Sequence, residues 1–243
     1  MKRPPAATDP AAEALRQRLT RRPWRLLECD PAPGAENMAR DEALLEAAAR
    51  EETPPVLRFY AWDPPAVSLG HFQGTEGIDL AYAAARGWDV VRRPTGGRAV
   101  LHQHELTYCL VLPPSVVGGA GVRTSYAVLS GALNAGLRSL LPDRSPVTAP
   151  ACNARTARGP NCFAVAGECD TLVAEGKLVG SAQVRRGGAL LQHGSILLDA
   201  EPAAWEALFG TTGRLVTLRR LLGSTPTRAE VTEAVLRGFT SLG

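Results

Sequence analysis

The sequence predicts an α+β fold, a mainly antiparallel mixed sheet flanked by helices, and three observations carry that reading. Strand-like runs and helical periodicities mix without the regular βαβ beat of a parallel sheet. After Cys162, three extended runs are separated only by Glu175-Gly176 and Arg186-Gly187-Gly188, the short spacing of an antiparallel meander. The 243 residues, 45% apolar and 21% charged, can bury one sizeable core but are too few for a multi-domain machine.

Each element has a local reason. Residues 1–22 are rich in Pro, Ala and Arg and show only a short Ala/Leu stretch, so they read as a loosely held, flexible N-terminal arm ahead of a single domain over 23–243. Residues 24–28 read as a strand. Over 36–50, Met38, Leu44, Leu45 and Ala48 recur at helical spacing, with acidic residues in the first turn and Arg50 in the last. Residues 56–60 and 66–69 are short strands separated by Asp63-Pro64-Pro65, and 79–86 is a helix stopped by Gly87. A strand over 88–93 runs into the turn Pro94-Thr95-Gly96-Gly97, and 99–112 is extended again. A helix over about 125–141 follows, with Thr124 or Ser125 as its cap. Residues 142–160 hold several prolines and no periodicity, the mark of a long connecting loop. The meander occupies 171–174, 178–184 and 189–198. Pro202 opens another helix, and Thr227-x-x-Glu230 is a capping box ahead of 231–239.

Bulk properties exclude several classes. A net charge of +3 and a pI near 8.7 do not argue for nucleic acid or a membrane surface. The longest uncharged run, 106–122, is broken by Pro113-Pro114 and Gly118-Gly119, and no apolar leader follows Lys2 and Arg3. The chain is therefore expected to be cytoplasmic. Its five cysteines are odd in number and lack C-x-x-C spacing, which argues against disulfides and structural zinc. The histidines have no acidic partners at ligand spacing, so no metal site is expected.

Three segments join polar groups to glycine in apolar surroundings. In Arg92-Arg93-Pro94-Thr95-Gly96-Gly97-Arg98-Ala99-Val100-Leu101-His102, paired glycines expose backbone N–H groups between arginines, as in an anion cradle; a plain hairpin turn with solvated arginines has the same pattern. Neither a Walker loop nor a G-x-G-x-x-G fingerprint is present. Cys162 follows the Pro-rich loop and precedes an aromatic, a setting for a nucleophilic thiol or for an inert small hydrophobe. Of the 27 basic residues only Lys2 and Lys177 are lysine, so the interior lysine calls for a reason. A short antiparallel pair would return Lys177 beside Cys162, where an ammonium favours a thiolate. Cys169 is the rival thiol, but Glu168 and Asp170 beside it oppose a thiolate. His102 and His193 lie in strand-like runs and read equally well as hydrogen-bonded structural groups.

The run 92–102, together with Gly176-Lys177-Leu178-Val179-Gly180-Ser181-Ala182-Gln183 and Leu191-Gln192-His193-Gly194-Ser195, resembles the lipoate/biotin protein ligase and octanoyltransferase superfamily. Asn37-Met38-Ala39-Arg40-Asp41-Glu42 and Ser68-Leu69-Gly70-His71-Phe72-Gln73 fit the upstream segments of the same superfamily, so the likeness spans about 24–199. Within it the residues look most like the LipM-type octanoyltransferases. ATP-dependent lipoate ligases usually carry a third glycine where this chain has Arg98, and His-Asp where it has His102-Gln103. Many also carry a further C-terminal domain, for which the stretch after Asp199 is too short. The other octanoyltransferase class carries Gly-Pro-Gly-Gln after its histidine, against Gln103-His104-Glu105 here.

The resemblance implies a biotin/lipoate protein ligase-like catalytic domain that moves an octanoyl group from acyl carrier protein to a lysine of a lipoyl domain, such as glycine cleavage H protein or a 2-oxoacid dehydrogenase E2. It implies Cys162 as acyl-thioester nucleophile, Lys177 as the cation beside it, and Arg92, Arg93, Gly96, Gly97, Arg98, His102, Gln183 and His193 around the substrates. The acyl slot is expected among side chains of 100–112 and the meander, with Arg92, Arg93, Arg98 and Arg185 meeting phosphopantetheine or an acidic carrier. No cofactor is expected, with neither nucleic-acid nor membrane partners. Two other readings remain: a single-domain ligase using ATP and Mg, with Cys162 incidental, and a non-catalytic module binding lipoyl domains or carrier proteins.

Overall fold

In the computed structural model the described residues are 9–141, 147–148, 159–164, 170–174 and 176–242. Cys152, Cys169 and most of the Pro-rich loop over 142–160 lie outside them, as do residues 1–8 of the expected arm. In chain order the elements are α1 (Pro10–Thr20), β1 (Arg25–Glu28), α2 (Gly34–Ala49), β2 (Val56–Tyr60), β3 (Ala66–Leu69), α3 (Leu80–Ala85) and β4 (Asp89–Arg92). They continue with β5 (Val100–His102), β6 (Glu105–Leu112), α4 (Pro114–Val117), α5 (Val122–Arg138), β7 (Val147–Thr148), a 3-10 turn at Cys162–Ala164 and β8 (Thr171–Val173). The last are β9 (Gly176–Arg186), β10 (Ala189–Leu197), α6 (Pro202–Phe209), α7 (Leu218–Leu222) and α8 (Arg228–Thr240).

A seven-stranded sheet runs in the order β1-β2-β6-β10-β9-β8-β7, and a three-stranded sheet in the order β4-β3-β5. Among the described strands, β1 with β2 and β3 with β4 pair in parallel and the other pairs are antiparallel. Every residue of β6 and β10 is buried, because helices or the smaller sheet cover both faces of the sheet centre. One core lies between the large sheet and α1, α5 and α8, and a second beneath α2. A third joins the small sheet to α3 and α6. The capping box at Thr227 and Glu230 forms at α8, Asp79 caps α3, and Pro202 starts α6.

The structure corrects some expectations. Residues 10–20 are no loose arm: Asp9 caps α1, and Ala12, Leu15 and Leu19 at helical spacing are buried. The Arg18 guanidinium donates to the Val116 and Val117 carbonyls, 2.7 and 3.2 Å away, and so ties α1 to the end of α4. α5 starts at Val122 behind Gly121. Ser125 is therefore one turn inside it, donating to the Val122 carbonyl instead of capping. The extended run 99–112 is two strands in two sheets, split at Gln103-His104. The helices α4 and α7 are too short for periodicity to reveal; left-handed Gly118 and Gly223 end them.

Candidate active site

The site begins at the end of β4. Arg92, exposed, donates through Nη1 to the carbonyls of Gly70, His71 and Gln73 at 2.6, 3.1 and 2.8 Å and pins the loop after β3. Arg93 is buried and spends its whole guanidinium locally: on the Ser68 carbonyl and hydroxyl, on Thr95 Oγ1, and on the carbonyls of Gly96 and Arg98, at 2.7–3.2 Å. The glycine turn is thus shaped by an arginine from within. Its tightness is steric as well, since a Cβ on Gly70 would lie 2.0 Å from the Gly97 carbonyl oxygen, and Gly97 itself has φ +98.

Arg93, which can only donate, sets the polarity of two hydroxyls. Ser68 Oγ accepts from Arg93 Nη1, so its own proton goes to His102 Nε2 at 2.8 Å, which puts that ring's proton on Nδ1, 3.7 Å from Glu105. Thr95 Oγ1 accepts from Arg93 Nε and donates to His193 Nε2 at 2.7 Å, leaving Nδ1 to donate to Asp41 at 3.2 Å. The Asp41 carboxylate, fully buried, also accepts from Arg58 at 2.6 Å and from the Tyr60 hydroxyl at 2.8 Å. Burial pushes the Asp41 carboxyl up, but His193, Arg58 and Tyr60 outweigh it and hold it below the usual carboxylate range. Burial pushes His102 down in spite of Glu105, and its ring stacks on Trp62 at 4.1 Å.

The thiol comes from the far side of the cleft. Buried Asn161 folds the 3-10 turn by accepting from the Phe163 N–H at 2.8 Å while its amide donates to the Thr211 carbonyl at 3.0 Å. Cys162, half-buried, is fixed by its N–H on the Ala99 carbonyl, 2.9 Å away. From β9, Lys177 Nζ reaches Cys162 Sγ at 3.3 Å, the Cys162 carbonyl at 2.9 Å and Asp170 at 2.6 Å. Burial pulls the Lys177 ammonium down, yet Cys162 and Asp170 together bring it above its ordinary value. Gly180 leaves room for the pair: a Cβ there would lie 3.1 Å from Lys177 Cε and 3.4 Å from Cys162 Sγ.

These walls enclose a cleft of about 460 Å³, counted to its open mouth, where Cys162, Arg93, Gly97, His102 and His193 come together. Met38, Tyr60, Trp62, Val100, Thr107 and Ala182 supply much of the remaining lining, so α2 and β2 contribute walls beyond the expected 100–112 and meander. Gly96 and Arg98 face an outer groove with Phe72 and Pro160 instead. Gln183 lies elsewhere: its amide bonds Gln192 at 2.7 Å and accepts from Ser125 of α5, in the ladder that also holds Tyr108. Arg185 donates to the same Ser125 hydroxyl at 3.0 Å. The contact of Asp170 with Lys177 and that of Asp41 with His193 are not read from the sequence, where Asp170 is weighed against Cys169 alone and Asp41 stands only within a quoted motif; both need partners across a hairpin or distant in sequence.

A family model for the lipoyl protein ligase A/B catalytic domain matches residues 33–240. The chain belongs to this family. Among similar proteins are the octanoyltransferases LipM of Kyrpidia tusciae, 43% identical over 89% of this chain and 85% of its own length, and of Symbiobacterium thermophilum, 41% identical over the same shares. A lipoate-protein ligase A bound with ATP superposes with a TM-score of 0.73 at 26% identity, covering 91% of this chain and 85% of its own. A bipartite lipoate protein ligase from Thermoplasma acidophilum shares the fold, with a TM-score of 0.65 at 24% identity over 90% and 82% of the two chains. The lipoyl ligase A/B segment thus opens at α2, which supplies Met38 and Asp41, and runs into α8. Among the described residues, no helix is long and apolar enough to cross a membrane.

Proposed function

We propose that this protein is an octanoyltransferase of protein lipoylation in which Cys162 carries the octanoyl group as a thioester and Lys177 stands beside the sulfur as a fixed cation. The observation that carries the reading is the 3.3 Å approach of the one interior lysine to the half-buried thiol at the cleft wall. The LipM relatives, octanoyltransferases by name, support the acyl group. Acyl carrier protein is the donor, a lipoyl-domain lysine is the acceptor, and 23–243 act as one catalytic unit on which α1 packs.

The chemistry balances without a nucleotide. The Cys162 thiolate attacks the donor thioester carbonyl, the carrier thiolate leaves and takes a proton from water, and the acyl group is now on Cys162. An acceptor lysine amine then attacks that thioester, the Cys162 thiolate leaves beside the Lys177 ammonium, and the amine's surplus proton passes to water. Thioester for thioester is nearly isoenergetic and thioester to amide runs downhill, so the donor supplies the activation. The apolar faces of Met38, Tyr60, Trp62 and Val100 suit an alkyl chain. Arg98, which lines the outer groove with Phe72 and Pro160, meets the phosphopantetheine arm in this reading.

Mixing the protein with octanoyl-acyl carrier protein in the absence of ATP tests this. Intact mass spectrometry should show one adduct of about 126 Da that hydroxylamine removes and Cys162→Ala abolishes. ATP-dependent attachment of free lipoate that survives Cys162→Ala would instead make the protein a ligase.

A further inference from the structure

Among the described residues the Lys177 ammonium meets the Cys162 sulfur and the Asp170 carboxylate, and of this pair the carboxylate alone keeps its charge through the proposed reaction. Cys162 loses any charge once its sulfur is acylated. Asp170, buried immediately ahead of β8, does not. Its Oδ2 accepts from Lys177 at 2.6 Å while Oδ1 accepts from the Ser181 N–H at 3.2 Å, so the carboxylate is braced on the same strand that carries the lysine. A register shift between Thr171 and Leu172 sets Leu172 opposite Lys177 but Thr171 opposite Val179, two positions further along β9. Building on the thioester reading, we infer that Asp170 is a positioning residue that keeps Lys177 charged and against Cys162 at the acyl-enzyme stage, when the sulfur has no charge of its own.

The balance of forces around Nζ supports this. Burial drives a lysine toward the free amine, and here Cys162 and Asp170 reverse the effect. Other ionisable groups reach the cluster less directly. Arg93, from the turn after β4, interacts with Cys162, and the Tyr108 phenol of β6 interacts with Asp170, meeting it through Ser181. When the acceptor amine attacks, the departing Cys162 thiolate needs a cation already in place. Without Asp170, Lys177 would lose the buried carboxylate that opposes its desolvation and would hold its proton less tightly at that moment.

The composition makes a direct test possible, because lysines labelled with ¹³C would give signals from Lys2 and Lys177 alone. The Lys177 ¹³Cε shift is followed against pH in Cys162→Ala, which imitates an uncharged sulfur, and in Cys162→Ala/Asp170→Asn. Asparagine retains the acceptor for Ser181, and an amide ¹H–¹⁵N spectrum verifies the fold. The Lys177 midpoint should lie at least one pH unit, tenfold in proton affinity, lower in the second variant than in the first. Coincident midpoints would overturn the inference. In a second arm, octanoyl-loaded enzyme is chased with lipoyl domain: parent rates should climb with pH, whereas Asp170→Asn should fall at least tenfold behind at the alkaline end. Parallel profiles there also count against Asp170. A parent that never takes up octanoate refutes the thioester reading, while the titration still judges Asp170.

Discussion

Replacing Asp41 by asparagine tests the buried network under the cleft. The side chain keeps its shape but loses the charge that faces Arg58 at 2.6 Å, with the pair 1% and 0% exposed. Removing one partner of such a pair costs about 3–5 kcal/mol, because the other charge stays buried without its counter-ion. Arg58 retains Asn37, which it reaches through the backbone carbonyl and Oδ1, and the face of the Tyr60 ring 3.8 Å away, so the lower end, about 3 kcal/mol, is expected. In a chain of this length that lowers Tm by roughly 6–12 °C. Urea denaturation followed by circular dichroism reads the loss directly. The pH dependence has a fixed sign: a carboxyl held below its usual range stabilises the fold above about pH 4, and that stabilisation disappears as pH falls through the lower folded value. The gap between parent and variant should therefore be level from about pH 8 to 5 and close in stronger acid. A loss under about 1 kcal/mol at pH 7, or a gap that widens on acidification, would refute the reasoning.

Gly180→Ala should leave stability nearly unchanged but slow acyl-enzyme formation by roughly tenfold, since its Cβ forces Lys177 and Cys162 apart by tenths of an ångström; single-turnover mass spectrometry at parent rate would reject the geometry. Arg93→Lys keeps the charge yet cannot reproduce five donations from a planar fork, so thermal melts should show a loss of about 2–4 kcal/mol; a melt that overlays the parent would mean the turn does not depend on Arg93.

The sequence alone determined what is local. Strands at β2 and β3, the helix stopped by Gly87, the meander of β8 to β10 and the capping box of α8 rest on alternation, turn residues and caps within a few positions, and they formed within a residue or two of expectation. The solitary interior lysine and the thiol were also legible, as was their meeting, because a hairpin returns Lys177 fifteen positions beyond Cys162. Tertiary structure decided everything that depends on which face of a strand meets which layer. Gln183 stands on a glycine-rich β9 one register position from Ala182, and pairing with β10 sends it to α5 while Ala182 lines the cleft. Arg92 and Arg93 look like ligand-binding cations in one dimension. Their acceptors are carbonyls that arrive only when the turn and the β3 loop fold back upon them. Leu15 and Leu19 become core only because α4 and α5, a hundred residues away, offer a surface to bury them, and burial is a property of the assembled layers that no local pattern contains.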